Sequence, residues 1–206
     1  MAEENRALLD SLGLCCINLM SSPGSGKTTL LEETARRVSG SVAMGVIEGD
    51  QATSLDAERL SSAGIPTVQV NTGGGCHLDA GMIKSALQEL DLARLDVLFI
   101  ENVGNLICPS TFDLGEHVRA VLLSVPEGAD KPLKYPGMFL SCNVLVLSKV
   151  DLADRCRFDL SGAKENALKV NPQLDIIEVS SVEGTGMETW IDFLKTLVEE
   201  KKKARR

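Results

Sequence analysis

A chain of 206 residues, 44% apolar and 24% charged, is long enough to bury a substantial core and most simply folds as one domain. Its formal net charge of −8 has the wrong sign for a protein that wraps phosphate backbones, and 3% aromatic content leaves little for a base-stacking platform. No apolar run approaches the roughly 18 residues of a membrane span, and the opening MAEENRALLD lacks a basic segment followed by an apolar one, so we expect a soluble, cytoplasmic chain with neither nucleic acid nor membrane as partner.

Taken in order, residues 1–13 read as an N-terminal extension. Leu14–Met20 is a continuous apolar run that predicts a buried strand, followed by a helix over Thr28–Val38 that stops before Gly40. A second strand is predicted at Val42–Ile47, a helix at Ser54–Ser62 and a short strand at Thr67–Val70. Leu78–Leu90 places Met82, Ile83, Ala86, Leu87 and Leu90 at helical spacing. Further apolar strands follow at Val97–Ile100, Val118–Val125 and Val144–Leu147, with an irregular Pro126–Gly137 that reads as a mobile surface loop. A helix over Ser161–Lys169, a strand over Ile176–Val179 and a helix from Met187 complete the pattern. The closing EEKKKARR is a charge block that reads as a frayed, solvated helix end rather than a nucleic-acid or membrane tail, with 201–206 a basic tail.

Strands apolar on both faces and separated by helices predict an α/β fold, with a mostly parallel sheet carrying helices on both faces and occupying 14–200. The six cysteines contain no CxxC and suggest thiols. Cys15, Cys16 and Cys142 lie in or beside apolar runs, whereas Cys76 and Cys108 sit among Gly, Asn and Pro.

The segment Ser21-Ser22-Pro23-Gly24-Ser25-Gly26-Lys27-Thr28-Thr29 follows the first strand and opens the first helix. In that context a P-loop has a mechanism: Gly24 and Gly26 let backbone N–H groups turn toward phosphate, and the helix N-terminus adds partial positive charge. Lys27 reaches the outer phosphates and Thr28 offers a hydroxyl to Mg²⁺; Ser25 and Thr29 complete the nucleotide-binding set. Ser21 stands where the pattern has its first glycine. Two acidic strand ends, Glu48-Gly49-Asp50 and Glu101, fall in the layer where parallel sheets bind ligands. Asp56, early in the next helix, is either a water-orienting residue or an acid favoured by the helix dipole. The fold thus predicts a P-loop nucleotide hydrolase.

Ser148-Lys149-Val150-Asp151 follows an apolar strand. A guanine edge offers two adjacent donors, and one carboxylate accepts both, so Asp151 selects guanine while the Lys149 stem covers the base. Ser180 and Ser181, beyond the last strand, are placed to add contacts to the guanine oxygen.

From about Leu14 to Val198 the chain resembles the HypB family of hydrogenase nickel-incorporation GTPases. The segments NLMSSPGSGKTTLLEET, VIEGDQATSLDAERL, NTGGGCHLDAGMI, LFIENVGNLICP and LSKVDLAD carry the likeness. That resemblance implies Mg²⁺-dependent GTP hydrolysis by a P-loop GTPase of the signal-recognition and MinD type. It also implies GTP-promoted homodimers and nickel delivery to [NiFe]-hydrogenase, with HypA-like maturation proteins and the hydrogenase large subunit as partners. Carried over by position, Lys27 and Thr28 are phosphate and Mg²⁺ residues, Asp50 and Glu101 the metal-side and catalytic carboxylates, and Lys149 and Asp151 the guanine readers. Cys76, His77 and Cys108 are then ligands for Ni²⁺ or Zn²⁺, beside the flexible Gly73-Gly74-Gly75.

From the residues alone, Cys108 is equally a buried thiol before Pro109 and His77 a helix-start residue. Ser148 replaces the family's Asn, a change expected to weaken nucleotide affinity. Only His77 and His117 are present and residues 1–14 hold no cysteine, so neither an N-terminal nickel site nor nickel storage is expected. The competing readings are a urease-maturation nickel GTPase, disfavoured because Cys76 and His77 are adjacent, and a nucleotide-gated nickel carrier with negligible turnover. An ATP-dependent partitioning switch is disfavoured by Asp151.

Overall fold

The computed structural model describes residues 1–205. The first strand, β1 (Cys15–Ser21), is buried along its whole length and fixes the rest of the architecture. Around it lie β2 (Met44–Asp50), β3 (Thr67–Asn71), β4 (Val97–Glu101), β5 (Val118–Ser124), β6 (Val144–Ser148) and β7 (Asp175–Val179). They form one seven-stranded sheet in the order β3-β2-β4-β1-β5-β6-β7. Every pairing is parallel, as strands apolar on both faces require.

The side chains of β1 alternate between two cores. Ile17 and Leu19 pack beneath α2 (Lys27–Val38) and α9 (Met187–Ala204), where Trp190 is fully buried. Trp190 Nε1 donates to Thr34 Oγ1 at 2.9 Å, which satisfies the indole as it leaves water. On the opposite face Cys16 joins Leu9 of α1 (Ala2–Leu12) and Ile83 of α4 (Ala80–Leu87). Met20 joins a third cluster under α6 (Pro136–Leu140) and α8 (Leu160–Val170). The helices therefore cover both faces. The short α3 (Leu55–Ser62), α5 (Lys131–Lys134) and α7 (Ala153–Cys156) complete the layers. No helix among the described residues is long and apolar enough to cross a membrane.

Two expectations change. The extension at 1–13 is α1, which docks through buried Leu9 and through Asn5, whose Nδ2 donates to Ala80 O and Leu114 O at 2.9 Å. Its apolar positions are too few for periodicity to announce it. Pro126–Gly137 is no mobile loop, because α5 and the start of α6 occupy it. Pro132 is buried there, as are Met138 and Phe139 just beyond, and a proline in the first turn of each short helix fits the missing N–H. Residues 201–204 continue α9, in line with a helix end there, and Lys201 pairs with Asp10 and Lys202 with Asp96 at 2.5 Å. Arg206 lies outside the described residues.

Candidate functional site

The chain turns from β1 into α2 through Ser21–Gly26, beyond the carboxyl edge of the sheet. Gly24 and Gly26 adopt φ of 75° and 95°, a region that side-chain-bearing residues avoid. Lys27 folds back over this loop and its Nζ donates to Ser21 Oγ at 3.0 Å. Ser21 in place of glycine thus supplies the acceptor that holds the buried ammonium. Thr28 Oγ1 donates to Glu101 Oε1 at 2.8 Å, tying the start of α2 to the end of β4. Ser25 Oγ lies 2.8 Å from both Ser22 O and Glu127 Oε1. Glu127, which sequence reasoning missed, also accepts from Ser124 N at 2.9 Å and so anchors the loop to the end of β5. A glutamate just after a strand that ends beside a P-loop was the available signal.

A cleft of about 470 Å³ opens over this loop, lined among others by Gly24, Lys27, Thr28, Glu48, Asp50 and Glu101. Its acidic floor differs from the sequence reading in one respect. Asp50 lies on the cleft wall, where its carboxylate accepts from Thr53 Oγ1 at 2.7 Å and from the Ala52 and Gln51 amides. The Thr53 hydroxyl is the largest influence on its carboxyl and, with the Ala52 and Gln51 amides, holds it below the ordinary range against the opposing effect of burial. Glu48 and Glu101, by contrast, are buried at paired register positions on β2 and β4.

Burial, then the neighbouring Glu101, pushes Glu48 up to about 8. Glu101 is also raised by burial, against the pull of Lys27 and the Thr28 hydroxyl. Oε2 of each lacks a hydrogen-bond partner. Two orphaned carboxylate oxygens beside a threonine hydroxyl form a hard-oxygen set that fits Mg²⁺. Asp56 is on the cleft wall, paired with Arg59 at 3.1 Å; Arg59 also reaches Glu32 at 2.7 Å.

A smaller pocket of about 160 Å³ lies next to the cleft and shares Gly26, Thr29 and Lys149 with it. Ser148, Asp151 and Ser181 line it together with Ser25. Lys149 takes a left-handed backbone, φ 60°, and its Nζ donates to Gly24 O at 2.6 Å, which lays the stem along the P-loop. Ser148 Oγ donates to Ser25 O at 2.7 Å, so the serine that replaces asparagine still joins this strand to the loop. Ser180 is buried and its Oγ accepts from Glu183 N at 3.1 Å, shaping the turn rather than lining the pocket.

Cys76 and His77 follow the glycine run after β3, and Cys108 begins a short 3₁₀ turn after β4. Cys76 Sγ lies 3.6 Å from His77 Nδ1. The nearby Cys76 thiol, ahead of burial, raises the pKa of Cys108. His77 stacks on Phe112 with ring centroids 3.8 Å apart, and Asn105 Nδ2 donates to Cys108 Sγ at 3.5 Å. The fold brings the three residues together. Even so, no group of three or more His, Cys, Asp or Glu side chains among the described residues is arranged to hold a metal ion.

Residues 15–178 match the CobW/HypB/UreG nucleotide-binding domain family. The chain is 52% identical over 196 residues to the hydrogenase maturation factor HypB of Escherichia coli K12, covering 95% of this chain and 68% of that protein. It is 49% identical to the HypB of Azotobacter vinelandii, covering 94% of this chain and 64% of that one. The crystal structure of HypB from Helicobacter pylori in complex with nickel superposes with a TM-score of 0.92 at 42% identity, over all of this chain and 95% of that one. With a P-loop, an adjoining base-sized pocket and this degree of identity along nearly its whole length, the chain belongs to the HypB family of hydrogenase maturation factors.

Proposed function

We propose that the protein is a Mg²⁺-dependent GTPase that carries nickel and uses the nucleotide cycle to assist its insertion into [NiFe]-hydrogenase in the cytoplasm. The observation that carries this reading is the contact between the two pockets: Lys149 and Gly26 line both the cleft over the P-loop and the pocket that holds Asp151. A nucleotide lying across that boundary places its phosphates on Lys27 and its base on Asp151. The carboxylate accepts from guanine N1–H and the 2-amino group, and adenine lacks that donor pair.

Hydrolysis in this reading rests on position and charge, with no covalent intermediate. Backbone N–H groups of Gly24–Thr28 and the Lys27 ammonium offset charge on the phosphoryl oxygens. Thr28, Glu101 and Glu48 would hold Mg²⁺, which would supply positive charge against the outer phosphates. Asp50 and Asp56 border the space in front of the phosphates and are the candidates to orient the attacking water. Ser21 releases Lys27 as phosphate replaces its hydroxyl.

Nickel, with Zn²⁺ as the alternative, is cargo for Cys76, His77 and Cys108, whose thiolates and imidazole suit either ion. The Helicobacter pylori relative crystallised with nickel supports this assignment. Three ligands leave a four-coordinate shell one short, so a second copy of the chain, drawn in by GTP, would complete it across a two-fold axis. A HypA-like maturation protein and the hydrogenase large subunit would receive the metal. The test is turnover with GTP against ATP, alongside nickel titration with GDP and with a non-hydrolysable GTP analogue while oligomer mass is followed. Equal turnover of ATP removes the guanine assignment. Equal nickel affinity in the two nucleotide states removes the coupling.

A further inference from the structure

Asn102 directly follows Glu101 at the end of β4, lines the nucleotide cleft and is almost wholly buried. Its Oδ1 accepts from Val103 N at 3.0 Å and from Leu78 N at 3.4 Å, and Leu78 is the residue after His77. Both donors are backbone amides, so they fix which way the Asn102 amide points. Its Nδ2 must then donate elsewhere, and it does so to Asn18 Oδ1 on β1 at 3.2 Å. That contact in turn orients Asn18, whose Nδ2 donates to Glu116 Oε1 at 3.2 Å.

Glu116 is buried, with its second oxygen taken by Leu114 N at 2.7 Å. Arg119 Nε donates to Glu116 Oε1 at 2.6 Å. The same guanidinium donates to Ser110 O at 3.2 Å and Phe112 O at 2.8 Å, which clamps the segment that begins at Cys108. Phe112 is the ring stacked on His77. Two runs of hydrogen bonds therefore meet at Glu116 Oε1: one comes from Asn102, which lies beside a phosphate-side carboxylate and holds Leu78, through Asn18, and the other from Arg119, which holds the segment after Cys108.

We infer that the Asn102–Asn18–Glu116–Arg119 chain carries nucleotide state to the metal-ligating segments, with Arg119 and Asn18 as positioning residues. This rests on the nickel and GTP reading above. A buried network whose members each fix the next has few alternative arrangements, and a shift at its head is passed on rather than absorbed by water. Glu101, which accepts from the Thr28 hydroxyl, would release it on entry of a divalent ion and phosphate, and Asn102 directly follows Glu101 in the chain. The ligands are close but not arranged for a metal in one chain, so a small displacement of the Leu78 and Cys108–Phe112 segments matters for binding.

The experiment compares nickel affinity in the GDP and GTP-analogue states, by equilibrium dialysis, for the parent and for Arg119→Lys. Lysine keeps the positive charge beside Glu116 but cannot fork to two carbonyls. The parent should show a difference of about five-fold or more between the states. Arg119→Lys should bring that ratio close to one, while its nickel-free GTP turnover stays within about two-fold of the parent and its GDP-state nickel affinity changes less than the ratio does. An undiminished ratio in Arg119→Lys overturns the inference. A parent ratio of one overturns the underlying reading instead.

A second measurement needs no substitution. In ¹⁵N spectra of the metal-free parent, the Leu78 backbone amide and the Asn18 and Asn102 side-chain amides should shift between GDP and GTP-analogue states. Unmoved Asn18 and Leu78 signals would overturn the inference even if Arg119→Lys failed to fold.

Discussion

Glu48 and Glu101 stand side by side in register on β2 and β4, each with a buried carboxylate oxygen that no protein group reaches. Two carboxylates this close and this dry do not both ionise freely. Burial, then Glu101, raises Glu48 to about 8, so in the absence of a cation the folded site retains a proton near neutrality. The sign of the pH dependence follows. Between about pH 4.5 and 8 the folded chain holds a proton that the unfolded chain has released, so stability is greatest below this window and is lost as pH rises through it.

Thermal melts in chelator should therefore show a falling Tm from pH 6 to pH 8.5. In Glu48→Gln that slope should flatten, because the neutral side chain no longer titrates. Each kcal/mol corresponds to about 2–4 °C for a chain of this size. Mg²⁺ should raise the parent's Tm at pH 8.5 more than the variant's. Parallel pH profiles for parent and variant would show that Glu48 is not the group responsible.

Guanine selection should rest on Asp151. Replacing its carboxylate with an amide sets a donor against one of the guanine donors, a buried mispairing that costs about 1–3 kcal/mol. Asp151→Asn should lose about ten-fold or more in GTP affinity and gain affinity for xanthine nucleotide, whose 2-position carries an acceptor. Competition binding with the two nucleotides reads both changes. Unchanged GTP affinity would place the base outside the pocket formed by Ser148, Lys149, Asp151 and Ser181.

Much of this site was legible because its chemistry is local in sequence. The P-loop spans nine consecutive residues, and the apolar run before it identifies the strand that presents it. Asp151 follows its strand in the same way. What sequence left open depends on contacts across the sheet. Glu48 and Asp50 both close β2, and only the pairing of β2 with β4 shows that Glu48 is the buried partner of Glu101 while Asp50 caps its own loop. Asn5 reaches Ala80 and Leu114, more than seventy residues away, and no periodicity signals such a bond. Pro126–Gly137 reads as loop because the helical turns there are too short to show a period.

Lys27 should be indispensable for turnover yet nearly neutral for folding. Its buried ammonium is held by one hydroxyl, Ser21 Oγ, and the nearby Glu48 and Glu101, already raised by burial, can take up a proton when it is lost, so alanine leaves no buried charge unpaired. Lys27→Ala should lose GTP hydrolysis by three orders of magnitude or more (roughly 4 kcal/mol of barrier) while its Tm stays within about 3 °C of the parent. The buried Trp190, the only tryptophan in the chain, provides a fluorescence check that α2 and α9 remain packed. Normal turnover in this variant would remove the loop from catalysis.

The docking of α1 bears on the metal-ligating segments. Asn5 Nδ2 bridges the carbonyls of Ala80, three residues beyond His77, and Leu114, six beyond Cys108. Arg6 and Glu4 reinforce the bridge from the surface, through Asp113 at 2.6 Å and Lys84 at 2.7 Å. Exposed pairs of this kind contribute little on their own, so the buried amide carries most of the effect. Gly115 lets the helix approach: at φ 95° a Cβ there would lie 2.6 Å from Ala2 O and from Asn5 Cβ. Asn5→Ala leaves two carbonyls without their donor and should cost about 1–3 kcal/mol, and Gly115→Ala should cost at least as much through strain and collision. Both variants should weaken nickel binding more than GTP binding, since α1 contacts the segments after His77 and Cys108 and lies on the face of the sheet away from α2. Calorimetry of each ligand on each variant separates the two effects. An equal loss for nickel and GTP would reduce α1 to a general stabiliser of the fold, and an unchanged Tm in Asn5→Ala would show that the bridge is not made in solution.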